Sequence, residues 1–408
     1  MALRITTELL GDHPRLSEIA THLPISASWI RGSDGFIAFG SYKTHRVTGK
    51  KRFADASTWW KNELSQLEIK NNVHGVGTGP ILFASFAFGE DEPSVLTIPE
   101  IVVAQKNGKS WITWIGNGQP EIVTQIIAQV GLNLTWAQGA LSDEEWSASV
   151  NSSVSQIKAG KLEKVVLARD VIAHADKEIN PAALIQSLET EYPSTWLFLV
   201  DNLIGATPEL LVRLSKSLVT SRVLAGTIRR TGDEERDFAL AGSLAKSSKD
   251  LEEHEYAVRS VAEALEPFAS STNVPDAPFV LHLPNVMHLA TDVTGVINDS
   301  ASKVDIFKLI AALHPSAAVC GTPTDVARDL ITELESMNRA RYAGPVGWID
   351  AHGDGEMGIA LRCGQIAEDH RSIRLFAGCG IVAGSSAEQE LAESQAKLLP
   401  MRSALTRL

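Results

Sequence analysis

The stretch GPVGWIDAHGDGEMGIALR, residues 344–362, decides the fold class. Two apolar runs, GPVGWID and GEMGIALR, flank a His-Gly-Asp-Gly centre. Glycine and aspartate accept the backbone angles of a tight turn, so this is hairpin chemistry. A short turn can join only antiparallel strands, because parallel neighbours need a long crossover. The segment therefore predicts antiparallel sheet. The rest of the chain also holds helical patterns, so the class is α+β rather than a doubly wound parallel sheet.

Outward from the hairpin, strands are expected at 163–172, 195–200, 209–215, 217–223, 345–350, 356–366 and 371–378. Helices are expected at 180–190, 234–268, 303–313, 324–339 and 386–406. The N-terminal part offers the strand-like runs GFIAFG (35–40), ILFASFAF (81–88), IVVAQ (101–105) and SWITWIG (110–116), followed by a predicted helix over 119–130. Ser142 and Glu145 have capping-box spacing and predict a helix running to about 159. The polar stretch there divides the chain into 1–140 and 141–408.

The 408 residues are 44% hydrophobic and 21% charged, the composition of an ordinary folded protein. Lys and Arg total 37 against 49 Asp and Glu, a net charge of -12 with no basic block. Nucleic acid and anionic membrane are poor partners for such a chain. Three cysteines, Cys320, Cys363 and Cys379, lack the spacing of a disulfide framework or a zinc site. No run is apolar enough to span a bilayer and no export signal is evident, so a cytoplasmic protein is expected.

Several segments could carry chemistry. In KDLEEH (249–254), Asp250 and Glu253 share a helix face. Glu390, Glu393 and Lys397 share another. Two acidic faces that met could hold a hard divalent ion, and carboxylates without His or Cys spacing favour magnesium over zinc. Two solvated helix faces account for the same pattern. In LEKVVLAR (162–169), Lys164 alternates with Val166 and Ala168 and so points to the apolar side of a strand. An apolar surround could make it a base, and a lysine that snorkels to water is the alternative. GATPELLVRL (205–214) puts Glu209 at the head of an apolar strand, where a desolvated carboxyl could act as a general acid. The Gly378-x-Gly380-x-x-Ala383 pattern is followed by only 25 residues, too few for a dinucleotide-binding unit. It predicts a tight turn near an anionic ligand. LAGTIRR (224–230) predicts a strand followed by a turn that could hold a carboxylate.

No single motif decides the function, but their order does. EKVVLAR, GATPELLV, LAGTIRR, KDLEEH, VMHLATDVTG, LHPSAAVCGTP, RYAGPVGWID, GEMGIALR and RLFAGCGIVAGSSAEQELAES follow one another as in the chorismate-utilising enzymes. The resemblance covers about residues 145–405, and within that superfamily the chain resembles the isochorismate synthases. It implies two antiparallel sheets packed face to face, helices outside, and an N-terminal part that completes the sandwich. It also implies a magnesium-dependent conversion of chorismate to isochorismate. Water adds at C2, the double bonds shift and the C4 hydroxyl leaves.

By the same resemblance Lys164 matches the base and Glu209 the acid. Glu253 and Glu393 match principal magnesium ligands, with Asp250 and Glu390 acting through waters. Gly226, Thr227 and Lys397 match the ring-carboxylate site. Tyr342, Arg362, Gly378 and Gly380 match the enolpyruvyl-carboxylate site, and His288 a histidine near the ring. For His288 a core histidine, and for Tyr342 a packing aromatic, are the alternatives. The chain departs from the family pattern at Thr207, Ser316, Ala317, Cys320, Cys379, Ser386 and Ser394, all small residues and none an inferred ligand.

Relatives that take ammonia from a glutaminase subunit typically carry PIAGT or PIKGT where this chain has Leu224-Ala-Gly-Thr. Lys164 and this leucine favour water, so no glutaminase partner is expected. Salicylate synthases, the alternative, tend to carry threonine at the position of Ala318. Ala318 therefore favours release of isochorismate.

Overall fold

The structure is a computed structural model that describes residues 3–11, 15–128, 131–298 and 304–408. The hairpin read from residues 344–362 is present. Strands Pro345–Asp350 and Gly355–Ile359 pair antiparallel, with Trp348 opposite Glu356. The Asp350 carboxylate closes the turn by accepting the N–H groups of His352 and Asp354, at 2.8 and 3.1 Å. It also accepts the Gly77 N–H at 3.0 Å, which ties the turn to the N-terminal part.

Two large sheets pack face to face. One contains, in spatial order, Leu134–Gln138, Lys164–Ala175, Ser372–Ile381, Cys363–Ile366, Leu203–Thr207, Trp196–Val200, Ile25–Arg31, Asp34–Phe39, Ile101–Lys106, Lys109–Ile115, Leu3–Leu10 and Leu67–Asn71. The other contains Ala269–Asn273, Val286–Ile297, Leu218–Arg229, Leu210–Ser215, Gly355–Ile359, Pro345–Asp350, Ile81–Ser85, Ser94–Ile98 and Lys43–Val47. The pairing is antiparallel except at one edge, where Leu3–Leu10 and Leu67–Asn71 run parallel. N-terminal strands enter both sheets: Ile25–Arg31 pairs with Trp196–Val200, and Ile81–Ser85 with Pro345–Asp350.

Strand alternation sorts the side chains between two cores. Trp196, Phe198 and Val200 face the space between the sheets, where they meet Phe83, Val212 and Trp348. Leu197 and Leu199 point the other way, under helices Pro181–Glu191 and Ala387–Thr406. Each such side chain contributes about 1.5–3 kcal/mol on burial, so a one-residue slip would be costly along the whole strand.

Local structure departs from the sequence expectations at several points. No helix forms over the described part of 119–130, and residues 129–130 lie outside the described residues. Val123–Thr124 instead pairs with Ile19–Ala20, and the Gln125 N–H donates to the Glu18 carbonyl, so tertiary contacts override local propensity. The expected helix 234–268 is two helices, Glu234–Leu244 and Ser248–Leu265, because Ser247 caps the second by accepting the Asp250 N–H. The helix expected over 324–339 ends at Leu334, and Ser336 and Ala340 take left-handed φ of 51° and 47°. The helix expected over 303–313 is described as Ile306–Leu313, capped by Asp305, and residue 303 lies outside the described residues. The strand expected over 81–88 stops at Ser85, and that over 356–366 is broken at residues 360–362. Among the described residues no helix is long and apolar enough to cross a membrane.

Candidate active site

The chain crosses between the two sheets at two adjoining places, and the cleft opens there. Leu203–Thr207 belongs to the larger sheet and Leu210–Ser215 to the smaller, so Pro208-Glu209 is the first crossing. Gly355–Ile359 and Cys363–Ile366 make the second crossing through residues 360–362. Backbone bonds hold the two together: Ile359 N–H donates to Glu209 O at 3.2 Å, and Ala206 N–H to Arg362 O at 3.1 Å. Arg362 takes φ of 48° to turn its side chain at the crossing.

The cleft wall includes Glu209, Gly226, Thr227, Glu253, His288, Ala318, Tyr342, Arg362, Gly378, Gly380 and Lys397. Lys164, Asp250 and Glu393 are not on that wall but touch Glu253, Gly226 and Lys397, which are, and Glu390 stands beyond them next to Glu393. Two of the local expectations are corrected. Gly378 and Gly380 lie inside strand Ser372–Ile381, opposite Ala168 and Val166, rather than in a turn. LAGTIRR likewise continues strand Leu218–Arg229, with a bulge between Ala225 and Thr227. The turn signal in both was glycine, and the glycines serve close approach. A Cβ on Gly380 would lie 2.0 Å from Glu253 Oε1, and one on Gly378 2.9 Å from the Tyr342 hydroxyl. Gly226 has φ of 79°, and Asp250 packs against it.

Glu209 is buried, and desolvation pushes its carboxyl up to about 8, against the opposing pull of Lys164, the Leu224 N–H, Arg362 and Lys397. It therefore holds its proton at neutral pH. Lys164 is fully buried in a strand of the larger sheet. Its surround is not purely apolar: Nζ stands 3.3 Å from Glu253 Oε1, and it has no hydrogen-bond partner among the described residues.

His288 links both sides of the cleft. Arg362 Nη2 lies 2.9 Å from Nε2, and Thr227 Oγ1 lies 3.0 Å from Nδ1. Burial, with Arg362 and Lys397 nearby, holds the ring well below its ordinary pKa, so it is neutral. A guanidinium can only donate, so Nε2 accepts and Nδ1 carries the hydrogen. Tyr342 stacks on Phe376 with ring centroids 5.0 Å apart. Lys397 donates to Gly378 O at 2.9 Å and pairs with Glu393 at 2.5 Å.

The two acid-bearing helices are linked by Lys249, but the tight group of potential ligand atoms belongs to one of them: Glu390 and Glu393, with Cys379, lie within 4.8 Å of one another. Lys249 reaches Glu390 Oε1 at 2.8 Å and also feels the charges of Glu393 and Glu253. Asp250 and Glu253 are outside the tight group. Cys379 points to helix Ala387–Thr406, where Sγ donates to Glu390 O at 3.3 Å. Burial pushes its thiol pKa up, and the thiol stays protonated.

Residues that the sequence reading missed also shape the site. Arg339 pairs with Glu335 and donates to Val166 O and Val319 O, at 2.7 and 2.9 Å. Glu335 Oε1 in turn accepts the Ala168 N–H at 2.7 Å. The pair thus ties the Lys164 strand to the segment that carries Ala318. The i, i+4 spacing was readable, but nothing in it distinguished this pair from a surface one. Lys249 adjoins Asp250 in sequence, and only the structure turns it toward Glu390.

A family model described as chorismate binding enzyme matches residues 29–406. The chain belongs to the chorismate-binding enzymes. A relative, the isochorismate synthase MenF of Bacillus subtilis, is 32% identical over 357 residues, 80% of this chain and 75% of that protein. The structure of DhbC from Bacillus anthracis is similar with a TM-score of 0.79 and 29% identity, over 97% of this chain and 98% of that one. MenF of Escherichia coli shares the fold with a TM-score of 0.81 at 23% identity, over 99% of this chain and 94% of that one. In this chorismate-binding enzyme the match runs across the boundary at residue 140 and includes strands of both sheets.

Proposed function

We propose that this chain is an isochorismate synthase, an isomerase that converts chorismate to isochorismate with the help of magnesium. One observation carries the reading: a carboxyl that keeps its proton up to about 8, Glu209, lines the cleft at a crossing between the sheets, and a fully buried lysine, Lys164, in a strand of the larger sheet lies close enough to act on it. The reaction needs an acid and a base on different faces of a ring. Lys164 takes a proton from the water that adds at C2. Glu209 gives its proton to the departing C4 hydroxyl, which leaves as water. Gly226, Thr227 and Lys397 receive the ring carboxylate. Tyr342, Arg362, Gly378 and Gly380 receive the enolpyruvyl carboxylate, with Arg362 suited to a two-pronged contact. His288 keeps Arg362 and the Thr227 hydroxyl in place. The names of the relatives, isochorismate synthases, agree with a water-using member.

The donors fit a hard divalent ion. They are carboxylate oxygens, and the neighbouring thiol stays protonated and tied to a backbone carbonyl. Glu253 and Glu393 are the principal ligands in this reading, with Asp250 and Glu390 acting through waters. When bound, the ion supplies positive charge against which the ring carboxylate is held. The reading includes a cytoplasmic enzyme that takes water and therefore works without a glutaminase subunit.

Incubation with chorismate and magnesium, followed by chromatography, tests the proposal. Isochorismate is the expected main product. Unchanged chorismate, or an aminated ring when ammonia is added, would sink it.

A further inference from the structure

Lys249 has no role in the chemistry described so far, yet it occupies a central electrostatic position. It lies in the first turn of helix Ser248–Leu265, one residue before Asp250 and one helical turn before Glu253. Its ammonium crosses to the other acid-bearing helix and holds Glu390 Oε1 at 2.8 Å. Glu390 has a side-chain exposure of only 2%, so water does little to screen it. Glu393 and Glu253 also act on Lys249.

We infer that Lys249 is a charge-balancing residue that lets a site crowded with carboxylates accept a dianionic substrate. The inference rests on the magnesium-and-chorismate reading above. Asp250, Glu253, Glu390 and Glu393 place four negative charges beside the cleft. Lys249 is held against one of these carboxylates and feels the charges of two more. Removing its ammonium makes the site more negative by one unit and so weakens its attraction for the two carboxylates of chorismate. The same change leaves an excess negative charge for the metal. Lys249 therefore acts in opposite directions on the two ligands: it favours the substrate and disfavours the ion.

Replacement of Lys249 by methionine keeps the length of the side chain and removes its charge. Titration calorimetry of magnesium into the substrate-free protein is expected to show binding tightened about threefold to tenfold, and KM for chorismate at saturating magnesium to rise about tenfold, with kcat moving less. Lys249→Arg is expected to restore both values. A purely structural clamp would weaken both ligands together and lower the melting temperature, and that result would overturn the inference. So would unchanged magnesium binding and KM in Lys249→Met, while leaving the isochorismate synthase reading intact. Absence of magnesium binding by the unaltered enzyme overturns the metal reading and this inference with it.

Discussion

Lys164 Nζ stands 3.3 Å from Glu253 Oε1, an ion pair between a strand of the larger sheet and a helix packed on the smaller one. The proposed base and a proposed metal ligand thus meet where the two layers meet. Lys164→Gln is expected to lower turnover about 10²–10⁴-fold, the usual contribution of a positioned base. Circular dichroism should show the fold retained. Turnover within about twofold of the unaltered enzyme would exclude Lys164 as the base.

Glu209 gives a pH dependence with a definite sign. Its carboxyl keeps the proton up to about 8, so activity that needs this proton should fall as pH rises through that value. The ordinary carboxyl value of 4.5 applies to the unfolded chain. Between 4.5 and about 8 the folded state binds the extra proton, so raising the pH across that window lowers stability. Below 4.5 both states are protonated and Glu209 has no effect. Glu209→Gln should therefore abolish turnover and raise stability at pH 7 by about 3 kcal/mol, read from denaturant melts. A stability profile that rises with pH across the same window in the unaltered enzyme, but not in Glu209→Gln, would contradict this assignment.

The bare backbone at Gly380 gives a prediction about the metal. A methyl there would meet Glu253 Oε1 at 2.0 Å and Lys164 Cε at 3.1 Å. Both are ends of flexible side chains, so the displacement falls on the site and the fold survives. Gly380→Ala should raise the magnesium concentration needed for half-maximal activity at least about tenfold. Chelator should abolish turnover of the unaltered enzyme, and added magnesium should restore it. Glu253→Gln or Glu393→Gln should do damage of similar size. Full activity in excess chelator would end the metal assignment.

Ala318 lines the cleft in the segment that Arg339 anchors through Val319 O. Loss of pyruvate from isochorismate needs the enolpyruvyl group folded over the ring. Alanine leaves room for the extended form, whereas threonine adds bulk and a hydroxyl. Ala318→Thr should raise the salicylate share of the products while chorismate is still consumed. Salicylate as the main product of the unaltered enzyme would favour a salicylate synthase instead.

Legibility in the sequence followed the range of the interactions. The hairpin at 344–362, the Ser142 capping box and the helix starting after Ser386 depend on neighbours a few residues apart, and all three are present. The segment 119–130 depends on a partner strand at Ile19–Ala20, about a hundred residues away, and its helical pattern misled. The acid pairs Asp250/Glu253 and Glu390/Glu393 could be read as faces, but that Glu390 and Glu393 gather with Cys379 while Asp250 and Glu253 stay outside that group depends on how the separate helices sit on the sheets.

By itself the sequence determined the antiparallel class, the residue types of the site and their order, because hairpin chemistry and strand alternation are properties of adjacent residues. Only the tertiary structure decided what those residues became. Glu209 holds its proton because two sheet crossings bury it, and Gly378 and Gly380 matter because a strand passes too close for a Cβ. Lys249 reaches Glu390 because its helix packs on the smaller sheet and the Glu390 helix packs on strands of both sheets. Burial, close approach and charge pairing are relations between distant segments, and they exist only once the two layers have closed on each other.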